Sequence, residues 1–198
     1  MWESIAFFLL RQIECKKRKE LWFRLGNKVL RFSLKEFCIV TGLKCHPFPS
    51  EEAKTRAEIK GRRFVTKLKR SLHKKKIVAD DLVKVLFDRS KKKYSVQDKC
   101  RCAAMYMVHS VVMGEKEGNG VREDWLAWTV SPEFFSSYPW GRESFQKLLS
   151  NFDRDLYDKS YKREGAILHE GEPETIAVTY TISCFWQAFC VRKLFNLS

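Results

Sequence analysis

The run from Glu20 to Leu43, ELWFRLGNKVLRFSLKEFCIVTGL, changes its hydrophobic period halfway along, and that change limits what can be built around it. Leu21, Phe23 and Leu25 alternate with Trp22 and Arg24, the period of two that marks a strand. Val29, Arg31 and Phe32 make a second short run after Gly26-Asn27, a pair that tolerates the positive φ of a tight hairpin turn. Beyond Phe32 the period lengthens to that of a helix. Ser33-Leu34-Lys35-Glu36 has the form of a capping box, in which the Ser33 hydroxyl accepts from the Glu36 N–H and the Glu36 carboxylate accepts from the Ser33 N–H. Phe32 and Phe37 stand at the two positions of a hydrophobic staple. Loss of such a cap costs about 1 kcal/mol. Leu34, Phe37, Cys38 and Val40 supply an apolar face, and Gly42 stands where a left-handed residue ends a helix.

The remaining segments are mostly helical in pattern. Trp2 to Cys15 carries Trp2, Ile5, Ala6, Leu9 and Ile13 near one face. His46-Pro47-Phe48-Pro49 forbids a regular helix, and Ser50-Glu51-Glu52 can restart one. Residues 53–76 have partly helical spacing and predict a helix broken near Gly61. Asp80 to Phe87 reads as a short helix, followed by a longer one opened at Ser95 or Asp98. Over residues 96–113 the set Cys100, Ala103, Ala104, Met107, Val108 and Val111 predicts a buried core face. Residues 121–130 predict a short helix with Leu126 inward and both tryptophans packed nearby. Ser131-Pro132-Glu133 has proline at a first helical position. Pro139 and Gly141 make a turn, Arg142 to Asn151 reads as a helix, and Trp140 as an aromatic anchor. Residues 164–173 read as a loop, 176–182 as extended, and the apolar run from Ser183 as a helix.

Two runs carry a resemblance. ELWF…G…RFSLKEF…TGL, and Tyr138 to Phe145 (YPWGRESF), are similar to signatures of the plant domain family DUF1985, and the order of elements between them fits. The resemblance covers most of the chain. It implies no established molecular activity. It does imply a setting among plant transposable elements, often upstream of a SUMO-protease-type cysteine peptidase. Family members usually carry residues ahead of the segment matching Trp2–Cys15, and this chain has no peptidase before Ser198. It therefore looks like a shortened member or an incomplete gene model. The family pattern has glycine where Cys184 stands.

Charge is distributed unevenly. The net charge is +14, and residues 1–49 contribute +6, residues 50–76 contribute +8 and residues 77–198 contribute zero. A basic half beside a neutral half suits contact with an anionic polymer. The candidate nucleic-acid contacts are Lys16, Lys17, Arg18 and Lys19, then Arg62, Arg63, Lys67, Lys69, Arg70, Lys74, Lys75 and Lys76. The competing reading of both clusters is a solvated surface. Binding through phosphates would be weakly sequence-specific. No zinc-finger spacing and no RNP aromatic motif is present.

Other chemistry is not indicated. Cys100-x-Cys102 and the pair Cys184 and Cys190 lack zinc spacing, and Cys45-His46 is at most half a site. His46, His73, His109 and His169 have no local partner for a cysteine nucleophile, and His109 reads as packed. No carboxylate cluster suggests a two-metal nuclease. Seven cysteines in a chain without a recognisable signal peptide predict reduced thiols. The longest apolar run, Ile5 to Leu10, is too short to span a membrane. The expectation is one mainly α (α+β) domain over residues 1–198, with a small N-terminal β-hairpin and a basic insertion or mobile helix at about 50–76. It is expected to be non-enzymatic, to need no cofactor or metal, and to sit inside the cell, in the nucleus rather than the cytoplasm. Its expected role is an accessory or interaction module with an unidentified protein partner. The alternative is a nucleic-acid-binding module taking DNA or RNA on residues 54–76. An enzyme fragment that once lay beside a peptidase is a third reading, which predicts no activity of its own.

Overall fold

The structure, a computed structural model, describes residues 12–13, 19–90, 93–116 and 118–152. The expected loop, extended run and helix beyond residue 152, the glycine position at Cys184, and most of the segment before Lys19 lie outside those residues.

Strands β1 (Glu20–Leu25) and β2 (Lys28–Ser33) pair antiparallel, with Leu21 opposite Phe32 and Phe23 opposite Leu30. Gly26 alone of the two turn residues has positive φ, at 58°. Phe23 also bridges Gln12, and the Ile13 N–H donates to the Trp22 carbonyl at 2.8 Å. Gln12 and Ile13 are therefore extended, not the end of the helix expected over Trp2–Cys15. An edge strand with free carbonyls recruits such a segment.

Helix α1 (Leu34–Thr41) begins on the Ser33–Glu36 capping box, with the Ser33 N–H donating to Glu36 Oε2 at 2.7 Å. It ends on Gly42 at φ 68°, whose N–H donates to the Cys38 carbonyl. Phe32 and Phe37 meet edge to face at 6.4 Å. These features are local, and each forms as the sequence predicts. Leu21, Phe23, Phe32 and Phe37 then pack on Phe145, Leu148 and Phe152 to form a small aromatic core under the hairpin.

The larger core lies among six further helices, α2 (Glu51–Leu72), α3 (Ala79–Phe87), α4 (Val96–Tyr106), α5 (Glu123–Trp128), α6 (Pro132–Ser137) and α7 (Trp140–Phe152). The architecture of the described residues is mainly α with one small hairpin. Helix α2 runs 22 residues without a break. Gly61 does not interrupt it, correcting the expected break. It removes a side chain where α2 presses on α5, and an ideal Cβ there would lie 2.0 Å from the Ala127 carbonyl oxygen. Tertiary packing has overridden the weak helix propensity of glycine.

Helix α4 passes into a π-helix over Met107–Val112, seen in the Met113 N–H donating to the Val108 carbonyl five residues back. Its inward residues are Cys102, Met105, Val108, His109 and Met113. Of the face expected from sequence, Val108 is buried, but Cys100, Met107 and Val111 are exposed. Two apolar stripes run along this helix, and the π-turn's extra residue adds His109 and Met113 to the one that reaches the core.

Residues Gly42–His46 form a strap between the two cores. Cys38 and Cys45 face each other across the left-handed turn at Gly42, Cα to Cα 6.2 Å, and are joined as a disulfide. That corrects the expectation of reduced thiols at this pair. The spacing is one disulfide geometry permits once the chain reverses. Cys100 and Cys102 are free. The strap is held by Gly141, whose N–H donates to the Lys44 carbonyl at 2.9 Å. Arg142 donates from Nε to the His46 carbonyl at 2.8 Å and from Nη2 to the Cys45 carbonyl at 2.9 Å. The two signature runs of the sequence are thus joined through this strap. Trp140 is the expected anchor, packed edge to face on Trp125 and tilted against Trp128 and Tyr138, with its indole N–H donating to the Phe135 carbonyl at 2.9 Å.

Candidate nucleic-acid interface

Helix α2 carries eight of the 38 lysines and arginines of the chain. Ser50 caps it, accepting from the Ala53 N–H at 3.3 Å. Glu51 and Glu52 occupy its first turn and Lys69 and Arg70 its last, the order that suits the helix dipole. Ala57, Gly61, Phe64, Val65 and Leu68 turn into the core. The remaining positions divide into two edges and an outermost ridge.

The edges are committed to the fold. On one side Lys67 Nζ lies 2.7 Å from Asp98, which also accepts from the Ser95 N–H and pairs with Arg101 at 3.3 Å. Further along, Lys74 Nζ lies 2.7 Å from Asp81, which also accepts from the Val78 N–H at 3.1 Å. Asp81 and Asp98 are 1% and 4% exposed, so each needs a cation in place. Burial would raise the Asp98 carboxyl. The Lys67 hydrogen bond, the bonds from Ser95 and the Lys67 charge outweigh it and hold the group below 3.8. On the other side Lys69 Nζ reaches Glu123 of α5 at 2.6 Å, and Arg62 pairs with Glu58 of its own helix at 3.5 Å.

The ridge is free. Arg56, Arg63 and Arg70 are exposed and form no ion pair with any described residue. Arg62, Arg63, Lys67, Arg70 and Lys93 line an open groove of about 1000 Å³, and no carboxylate belongs to its lining. Ile59 and Thr66 complete the groove's lining beside the arginines, and the exposed Lys60 stands on the ridge between Arg56 and Arg63.

Of the basic residues singled out from sequence, Arg62, Arg63, Lys67 and Arg70 come together in this groove. Lys69 and Lys74 turn to carboxylates, and Lys75 and Lys76 are exposed in the link to α3. The Lys76 side chain lies across Gly120, where an ideal Cβ would meet its Cε at 2.1 Å. Lys19 is exposed beside β1, and Lys16, Lys17 and Arg18 lie outside the described residues. Arg56 lies within the 54–76 stretch but, like Lys93, is not among the residues singled out from sequence. The first had a signal, since arginine recurs every seven residues at 56, 63 and 70. Lys93 enters only through the fold.

Reactive chemistry has little purchase near this face. The Cys102 thiol is fully buried, and burial followed by the Asp98 charge pushes it up to about 12, so it is not a thiolate at neutral pH. His109 is 2% exposed and its Nε2 has no hydrogen-bond partner, so it is a packed side chain. Among the described residues, no three His, Cys, Asp or Glu side chains group to hold a metal ion. No helix among them is long and apolar enough to cross a membrane.

Fold and face together define a mainly helical domain with an N-terminal hairpin and one cationic ridge unpaired among the described residues. The chain belongs to the DUF1985 family, whose model, described as a domain of unknown function, matches residues 9–151. That range contains both signature runs and all of α2. No curated protein and no solved structure matches the chain.

Proposed function

We propose that the chain is a non-enzymatic interaction module that binds nucleic acid through the ridge of α2. The observation behind this reading is the pair Arg63 and Arg70, exposed in a groove without a carboxylate and unpaired among the described residues. Guanidinium groups bind phosphate through two parallel donors, and clustered cations release condensed counterions when they meet a nucleic-acid backbone. Binding of this kind positions a partner and does not read bases. On this reading the protein works in the nucleus.

The test titrates labelled random DNA and RNA with the full chain at two salt concentrations, beside the variant R63Q/R70Q. The reading requires salt-sensitive binding that the variant weakens at least tenfold. A folded chain that leaves both nucleic acids free at low salt removes it.

A protein partner is the second reading. Val96, Met107 and Val111 stay exposed on the outer stripe of α4 and its π-turn, at 78%, 54% and 43%. An apolar row of that length suits a protein surface. A partner retained by the intact chain and released by M107E/V111E, with nucleic-acid binding unchanged, is the supporting result.

A further inference from the structure

The ridge carries more geometry than a basic patch needs. Arg56, Arg63 and Arg70 are spaced by seven residues. Each step advances about 10.5 Å along a helix and turns back only about 20°. The three positions therefore form a nearly straight row about 21 Å long on the helix surface. The row is fixed at both edges. Lys67 and Lys74 clamp α2 to the buried carboxylates of α4 and α3, and Lys69 clamps it to α5. Gly61 sets its inner face directly on the α5 backbone. A rigid row of charges matches a partner whose phosphates are also held in fixed positions. Duplex nucleic acid is such a partner, with a persistence length of about 50 nm for DNA.

Single strands are held differently, by aromatic faces on which the bases stack. Ile59 and Thr66 flank the arginines on the groove side and Lys60 and Lys67 stand between them, so no aromatic face lies along the row. Tyr94, beside the groove, is 6% exposed, its hydroxyl lies 2.8 Å from Ser71 Oγ, and Lys93 Nζ covers its ring at 5.4 Å. Its face is already occupied.

Resting on the reading that α2 binds nucleic acid, we infer that the partner is a nucleic-acid duplex, gripped through its phosphates by the row Arg56, Arg63 and Arg70. Lysine and arginine divide the work. Lys67 and Lys69 on the helix edges and Lys74 just past its end hold the row rigid, and the arginines of the ridge hold the duplex.

The experiment measures fluorescence anisotropy of the full chain with a 20-base-pair DNA duplex, an RNA duplex of equal length, and a 20-nucleotide oligo(dT), across a salt series. Two variants accompany it: R56Q/R63Q/R70Q, and K28Q/K35Q/K116Q, which removes the same charge from exposed sites elsewhere. The expected result is tighter binding of at least one duplex than of oligo(dT). The slope of log K against log salt should become shallower by about 2.7 in the arginine variant, roughly 0.9 for each phosphate that is no longer neutralised. The lysine control should keep the parent slope. Equal or tighter binding of oligo(dT), still abolished in the arginine variant, overturns the duplex inference and leaves the nucleic-acid reading standing. Equal weakening in both variants also overturns it, because net charge and not the row would then set affinity. Absence of binding to all three probes removes the inference together with the reading beneath it.

Discussion

Gly61 of α2 and Ala127 of α5 touch backbone to backbone: an ideal Cβ at Gly61 would lie 2.0 Å from the Ala127 carbonyl oxygen and 2.5 Å from its Cα. Two effects oppose each other when Gly61 becomes alanine. Helix propensity gains about 1 kcal/mol, since glycine is the poorer helix former. The clash is with backbone, which has no rotamer to yield, and overpacking costs about 1–3 kcal/mol or more. Gly61→Ala is expected to destabilise the protein by about 1–2 kcal/mol net, taking the clash near its upper range against the propensity gain. A lower denaturant midpoint checks it. A higher midpoint would show that α2 and α5 separate freely.

The lysines of α2 and its C-terminal link should behave unlike its arginines. Lys67→Gln and Lys74→Gln each remove the nearest cation from a buried carboxylate, leaving Asp98 with Arg101 at 3.3 Å and Asp81 with Lys84 at 3.8 Å. A hydrogen bond to a charged group contributes about 1.5–3 kcal/mol, less here because the ammonium ends are about half exposed and screened. Destabilisation of about 1 kcal/mol each is the expectation. Arg63→Gln and Arg70→Gln should leave stability within about 0.5 kcal/mol of the parent. Chemical denaturation of the four variants tells the two groups apart, and equal losses in all four would contradict the division.

The disulfide closes a short loop. Cys38 and Cys45 are seven residues apart, so the loop-closure model gives about 2.5 kcal/mol for the bond. Reduction with a thiol should lower the denaturant midpoint accordingly, and Cys38→Ser should abolish the difference between oxidised and reduced protein. Mass spectrometry after alkylation reads the bond directly. A midpoint indifferent to reductant would contradict the prediction.

Acid should weaken the fold in two stages. Burial holds the His109 imidazole below its usual 6.5; the Glu115 carboxylate pulls the other way, and the Lys147 ammonium adds to the lowering. The unfolded chain therefore takes up a proton that the folded chain refuses. The stability of neutral His109 is complete above pH 6.5 and falls as pH drops from there towards the lowered folded value. The Asp98 carboxylate, held below 3.8, contributes above that pH and its contribution fades as pH falls through its folded value. Unfolding free energy measured against pH should decline below 6.5, and His109→Gln should flatten that first limb alone.

Local signals were the legible ones. The hairpin turn at Gly26-Asn27, the Ser33–Glu36 cap, the Phe32–Phe37 staple and the Gly42 stop each involve residues within a few positions, and each is present in the fold. A helix start at Ser95, one of the two openings the sequence offers, and the proline start of α6 are present as well. Long-range features were not. Two stripes of α4 were comparably apolar, and only the π-turn and the neighbouring helices decide that Cys102 and Met105 face inward. Gly61 resembled a helix breaker because Ala127 is invisible at that distance in sequence. The basic character of α2 was plain, but its division was hidden, because the buried partners of Lys67 and Lys74 lie on other helices.

That division has a consequence for covalent modification. Acetylation removes the charge of lysine and leaves arginine untouched. Acetyl groups on Lys67 and Lys74 would take the nearest cation from each of two buried carboxylates, leaving them Arg101 and Lys84, while the guanidinium row kept every charge. The enzymes that write and erase lysine marks would therefore act on how firmly this helix is seated, and the arginine face would respond only as its footing loosened.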